Sequence, residues 1–469
     1  MENILENVLD EFKKLAAIPR PSKHEERVSN FLRDYLKSLG LTVAQDDYKN
    51  VIAEISANEK IDAPLTILQA HMDMVCVAEN GVDYEPLRDA IKLIRTEKYL
   101  TADGTSLGAD DGIGIAEILY IVKNADKFPH GKLRVIFTTD EEQGMSGALN
   151  IDAKYFADAA YLINCDSENF NELVVGSAGN IHVDFSRRIE YVEPKFANAF
   201  RVKIFGLSGG HSGIEITKNR ANAVKVAGKF LRQIDEAELA KFDSGKAPNV
   251  IPDAAEIILV TNLDIAEMDK RAAWLKKNIS DIYGDAENLE VDIAEIAMPK
   301  KVMSAADFDA LKNLLAITHS GVYSVFGEMA RTSANIGILR TAEEIEISIL
   351  ARANITALLD DFIAHFAQVA KLTGFGVKFG TPAPAWNYNP HSRLAEIMSK
   401  IFNEQNKFCA KVHTIHAGLE CSFFYVKNPA LDIVSIGTTN EFIHSPQERL
   451  HLETVEPEVR LIIETLKQI

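Results

Sequence analysis

"KLRVIFTTDEEQGMSG", residues 132–147, joins an apolar, β-branched run to three acids in succession. The run has the length and composition of a buried strand, opened by Gly131 and closed where Asp140, Glu141 and Glu142 leave the core. Three adjacent carboxylates repel one another, and a plain turn could be made with Gly, Asn or Pro. A solvated loop is the ordinary explanation for such a triplet. The alternative is that the acids hold something positive, and the rest of the chain decides between the two.

Working outward, other apolar runs end in the same way. "LQAHMDM" (68–74) finishes a strongly apolar strand with His71 and Asp73, two residues apart and therefore on one side of an extended chain. A metal-binding histidine needs its ring fixed by a neighbour, and Asp73 is placed to do that. "LINCDSE" (162–168) ends another strand with Asp166, followed by Glu168. "TSLGADDGIG" (105–114) runs from a glycine-containing loop into a helix, with Asp110 near its start. A helix cap would explain Asp110, but Gly108, Gly112 and Gly114 suggest close backbone approach to a bound group. "TTNEFIHSPQERL" (438–450) puts His444 in the loop after an apolar strand at 431–436. Oxygen ligands with two imidazoles suit zinc, manganese or cobalt rather than calcium. Of Glu141 and Glu142, one can bind metal while the other handles a water; residue chemistry leaves open which does which.

The bulk properties are those of a soluble globular chain. The chain has 469 residues, too many for one ordinary core, with 47% hydrophobic and 25% charged residues. A formal charge of −18 disfavours nucleic acid and anionic membrane surfaces as partners. No apolar stretch reaches membrane-spanning length, and the first residues lack a signal-peptide pattern. Cys76, Cys165, Cys409 and Cys421 form no CxxC pair, so a reduced, cytoplasmic protein is expected. "GADDGIG" lacks the spacing of a dinucleotide fingerprint and carries acids where phosphate would lie.

Helix and strand patterns alternate in the first third and again after 391, which predicts an α/β catalytic domain with a mostly parallel sheet flanked by helices. The texture changes after about 184 to strands and helices of an α+β type. The expected organisation is therefore a first catalytic part at 1–184, an inserted α+β domain at 185–380, and a second catalytic part at 381–469. "TPAPAW" (381–386) reads as a linker.

Taken together, "HMDMV", "GADDGIG", "DEEQGMSGA", "NCDSE", "GLSGGHSGIEI", "IHAGLEC" and "HSPQER" resemble the di-zinc family of aminoacylases, carboxypeptidase G and peptidase T. The likeness spans essentially the whole chain and is greatest to the aminoacyl-histidine dipeptidase, carnosinase-like branch. It implies two divalent metal ions bridged by Asp110, with His71 and Asp166 completing one site and Glu142 and His444 the other. It also implies Asp73 as the residue orienting His71, and Glu141 as the base that activates a metal-bridging water. The insertion becomes a lid used for homodimerisation, whose His211, in "GLSGGHSGIEI" (206–216), polarises the scissile carbonyl from its own or a partner subunit. Arg331 and Asn335 in "ARTSANIG" (330–337) become candidates for the substrate carboxylate. His416 and Glu420 in "IHAGLEC" (415–421) become substrate-lining residues, Glu420 suited to an amine. The implied reaction is hydrolysis of small peptides, Xaa-His dipeptides first. A tripeptidase or N-acyl-amino-acid deacylase is the alternative on the same scaffold, and an inactive metal-binding scaffold is the alternative from another class. His24, His130, His319 and His365 are left as ordinary surface or core residues.

Overall fold

The structure, a computed structural model, describes residues 3–327 and 329–469. The chain divides into two compact units. One comprises Met1–Gly176, Tyr388–Thr414 and Leu419–Ile469; the other comprises Ser177–Asn387 and Ile415–Gly418. Among the described residues the first unit is built on an eight-stranded sheet. Its centre is four parallel strands, here β1 (Leu65–His71), β2 (Leu133–Thr138), β3 (Ala159–Asn164) and β4 (Asp432–Ser435), ordered β2-β1-β3-β4. Strands Thr42–Gln45 and Val51–Ile55 extend the β2 side antiparallel, and Glu172–Ser177 pairs antiparallel with β4.

Every residue of β1 and β2 is buried, as expected for strands covered on both faces. Helix α1 (Ala109–Lys123) is apolar almost all round and correspondingly buried; it packs on β1 and on the N-terminal helix Ile4–Ala16. The parallel strands bring His71, the 139–142 loop and Asp166 out at one edge of the sheet. That edge, at the carboxyl ends, is where open α/β sheets gather their functional loops.

The second unit holds a nine-stranded antiparallel sheet among the described residues, covered by helices Ala223–Leu231, Ile265–Tyr283, Ala305–Ile317 and Ala357–Thr373 around its own apolar core. The divisions fall at 176/177 and 387/388 rather than at 184/185 and 380/381. The reason is pairing: strand Gly179–Arg188 lies wholly within the second sheet, beside Glu344–Ala353 and Gly376–Phe379. Nor is 381–386 a free linker. Trp386 and Ala383 pair with Ser177 and Asn180, and Ala385 and Trp386 are buried. Proline spacing marked an irregular segment correctly but could not reveal backbone partners two hundred residues earlier. Among the described residues no helix is long and apolar enough to cross a membrane.

Candidate metal centre and substrate groups

Five side chains expected to act together meet at the carboxyl edge of the first unit. His71 Nε2 lies 3.0 Å from Asp110 Oδ1 and 3.3 Å from Asp166 Oδ1. His444 Nε2 lies 3.1 Å from Asp110 Oδ2 and 2.8 Å from Glu142 Oε2. The two oxygens of Asp110 thus face two different histidines, each of which has a second carboxylate beside it. Ligand atoms of His71, Asp110 and Glu142 lie within 4.8 Å of one another, as do those of His71, Asp111 and Asp166. Asp111, which sequence reasoning passed over, is buried and accepts the His71 backbone N–H at 3.1 Å.

Buried polar groups hold these ligands in place. Asp73 is fully buried, with Oδ1 3.4 Å from His71 Nδ1. The same carboxylate accepts the backbone N–H groups of Glu141 and Glu142 at 3.0 and 3.2 Å and the Ser22 hydroxyl at 2.8 Å. One acid therefore orients both the imidazole and the loop carrying the two glutamates. Arg20, also buried, donates to the carbonyls of Met72, Asp73 and Gly108 and so ties β1 to the start of α1. Gly108 sits at φ 68° with Met74 Sδ only 2.6 Å from where a Cβ would be, so a side chain there would displace this junction. Glu448 accepts backbone N–H groups from Leu107, Gly108 and Ala109 at 2.7, 3.0 and 2.8 Å. Asp140 is buried at φ 59°; its N–H donates to Glu25, and its carboxylate accepts the Ser146 hydroxyl at 2.6 Å. The first acid of the triplet is a structural part of the turn. Arg20, Ser22 and Glu448 lie 51 to 341 residues from the groups they support, and no local pattern marks them.

The electrostatics show what the cluster lacks. Burial and Asp110 push the Glu142 carboxyl up to about 7, and burial pushes Asp166 up to about 6 against the opposing effect of His71. Burial, with Asp166 and Glu142 nearby, raises Glu141 well above the carboxylate range, and burial with Asp110 lifts Glu168 to about 7. Burial works against protonation of His444, yet its bonds to Asp110 and Glu142 raise it to about 11. The acids outnumber the cations around them, and the histidines can balance them only by binding protons. Divalent cations fit this donor set: they would replace those protons and let each acid ionise.

The second unit carries the remaining candidates. His211 lies on the two-residue strand Gly210–His211, paired with Val250–Ile251, in a half-buried turn. Arg331 is half-buried, its Nε without a hydrogen-bond partner among the described residues. Asn335 is not available to a substrate carboxylate. It is 1% exposed; its amide donates to the carbonyls of Pro248 and Val250 and its oxygen accepts from Asn222. His416 uses both ring nitrogens, with Nε2 2.7 Å from Ser333 Oγ and Nδ1 2.9 Å from Asn354 Oδ1. Burial and Arg352 lower its pKa to about 4, so the ring is neutral and leaves no nitrogen for substrate. Glu420, in the first unit, is likewise no open amine acceptor: it is fully buried, and its Oε2 accepts from Gln69 and Thr138. All three belong to motifs whose residue types suit a ligand, but neighbours distant in sequence take up the polar atoms of Asn335 and His416, and burial closes Glu420 off.

Arg352 was missed. It lies opposite Ser333 in the pairing of Met329–Thr341 with Glu344–Ala353, on the face that also takes Arg331. It is 5% exposed, its Nε has no partner among the described residues, and burial lowers its pKa to about 10. A buried guanidinium without an anion is costly unless a ligand supplies one. The sequence signal was available: an arginine in the apolar strand "EIEISILARA" (344–353).

Two histidines and several acids around adjacent centres, with a further acid on the same loop, define a metal-dependent hydrolase. Residues 67–468 match the model of peptidase family M20/M25/M40, and the chain belongs to that family. It is 31% identical over 473 residues to the cytosol non-specific dipeptidase of Escherichia coli, covering 98% of this chain and 97% of that protein. The crystal structure of aminoacylhistidine dipeptidase from Vibrio alginolyticus superposes with a TM-score of 0.87 at 29% identity, covering 99% of this chain and 96% of that one. The aminopeptidase PepT of Bacillus cereus shares the fold, with a TM-score of 0.57 at 17% identity over 99% of this chain and 98% of that one.

Proposed function

We propose that the protein is a cytoplasmic dipeptidase that hydrolyses unblocked dipeptides, Xaa-His among them, at a two-metal centre. One observation carries this reading: Asp110 faces His71 with one oxygen and His444 with the other, while Asp73 holds the adjacent Glu141–Glu142 backbone. The relatives named above, one a cytosolic dipeptidase and one acting on aminoacyl-histidine, support the substrate class and the setting.

Asp110 would be shared between the two ions, His71 and Asp166 serving one and Glu142 and His444 the other. Two divalent cations, zinc by the donor set with manganese or cobalt as alternatives, would supply Lewis-acid polarisation and acidify water. Glu141 takes the proton of the attacking water and delivers it to the leaving amine nitrogen. The second unit serves as a lid. There His211 stabilises the developing oxyanion, and Arg331 with Arg352 takes the carboxylate of the dipeptide. A homodimer formed through this unit is part of the proposal.

Glu141→Gln tests the chemistry. Metal content and thermal midpoint should stay at wild-type values while kcat falls about 10²–10⁴-fold, the usual worth of a general acid–base group. Near-normal turnover would remove Glu141 from the mechanism. A side-by-side assay of β-alanyl-His, other Xaa-His dipeptides, unrelated dipeptides, tripeptides and N-acetyl amino acids tests the substrate class. Preference for tripeptides or acylated amino acids would replace the dipeptidase reading.

A further inference from the structure

Beneath the ligand ring, four buried polar side chains form a single hydrogen-bonded chain that the hydrolytic chemistry does not use. Glu420 Oε2 accepts from Gln69 Nε2 at 2.7 Å and from Thr138 Oγ1 at 2.6 Å. Gln69 Oε1 accepts from Asn164 Nδ2 at 2.6 Å, and Asn164 Oδ1 accepts the backbone N–H of Asp166 at 3.4 Å. Each of the four side chains is 0% exposed. Gln69 and Asn164 are register partners on β1 and β3, as are His71 and Thr138 on β1 and β2. Gln69 therefore stands two residues before His71 and Asn164 two before Asp166, each on the same face as its ligand.

All the donors in this chain point one way. The Asp166 N–H donates to Asn164, the Asn164 amide donates to Gln69, and the Gln69 amide donates to Glu420. A primary amide can be turned over at little local cost, so Gln69 and Asn164 do not choose this polarity themselves. Oε2 of Glu420 accepts two bonds at one end of the chain, and the Asp166 N–H donates at the other, so the two ends together favour this polarity. Were Gln69 reversed, its oxygen would face Glu420 and its NH₂ would face the NH₂ of Asn164, leaving buried groups unsatisfied at about 1–3 kcal/mol each.

We propose that Glu420 is a positioning residue that fixes the orientation of Gln69 and Asn164, and through them the backbone at Asp166, and so sets the metal affinity of the ligand ring without touching substrate. This rests on the metallopeptidase reading above. Hydrogen-bonded groups behind metal ligands commonly change affinity by about 10–100-fold when removed.

The test uses Glu420→Met and Glu420→Gln in the full-length chain. Cobalt(II) affinity is measured by competition with a chelator, and kcat and KM on an Xaa-His dipeptide are measured at limiting and excess metal. Glu420→Met should bind cobalt about 10–100-fold more weakly. Its kcat should fall at limiting metal and recover in excess metal, with KM unchanged. Glu420→Gln, whose carbonyl can accept both bonds, should restore affinity to within about threefold. Unchanged cobalt affinity with a raised KM in Glu420→Met would overturn the proposal in favour of a substrate contact. Should Glu420→Met not fold, Asn164→Asp takes its place. It removes the donor to Gln69 while keeping the shape, and unaltered affinity in that variant would also refute the inference. A wild-type chain that binds no divalent metal would fail earlier, and would sink the metallopeptidase reading itself.

Discussion

The two units expose their chemistry in opposite ways. In the first, candidate metal-binding side chains crowd at the ends of parallel strands, and the local excess is negative: Glu142, Asp166 and Glu168 are all held above the ordinary carboxylate range. In the second, the chemistry lies along the face of an antiparallel sheet, and the excess is positive. Arg352 is buried, with an unpartnered Nε among the described residues, beside a histidine kept neutral. Each unit thus has a charge that its own residues do not balance. Metal would answer the first and a substrate carboxylate the second.

That comparison can be broken most severely at Asp110. Asp110→Ala removes the acid between the two histidines, so it should lower bound metal and reduce peptidase activity to background; full metal occupancy, measured by elemental analysis, would contradict the shared-ligand assignment. The next effect belongs to the opposite charge. Arg352→Met should cost about 1.5–3 kcal/mol of transition-state binding, a loss of roughly 10- to 150-fold in kcat/KM on dipeptides with a free carboxylate. Amidated dipeptides should lose little, and an equal loss on both substrates would dissociate Arg352 from the carboxylate.

The neutral histidine gives a smaller, pH-dependent effect. The folded pKa of His416 is about 4, below the ordinary value of about 6.5 for an unfolded chain. Between those values the unfolded state binds more protons, so stability is complete above pH 6.5 and declines as pH falls toward 4. The full loss is about 3 kcal/mol. Thermal unfolding of wild type should show this slope and His416→Gln should flatten it; identical slopes would deny His416 the role. Last, Asn335→Ala should destabilise by about 2 kcal/mol, by stranding the Pro248 and Val250 carbonyls, with KM unchanged. A raised KM without destabilisation would return Asn335 to the substrate.

Much of this was legible in the chain. An apolar run ending in a histidine or an acid is a local pattern, and it located His71, Glu141, Glu142 and Asp166 at one edge of a sheet the same runs predicted. The strand Leu133–Thr138 falls within a residue of its expected limits. Asn335, His416 and Glu420 read as substrate contacts because their residue types suit that work. Asn335 and His416 spend their hydrogen bonds elsewhere and Glu420 is sealed by burial, and nothing in a motif of seven or eight residues records it.

Residue pattern alone carried the α/β framework and the candidate metal-binding residues in their order along the chain. These depend on periodicity and on what each residue can donate, both properties of short stretches. Folding settled which polar atoms remain open and which are consumed. Glu448 reaches the 107–109 backbone across some 340 residues, and Gln69 reaches Glu420 across 351. A hydrogen bond is settled by distances of about 3 Å, and folding sets those distances between groups that the linear chain keeps far apart.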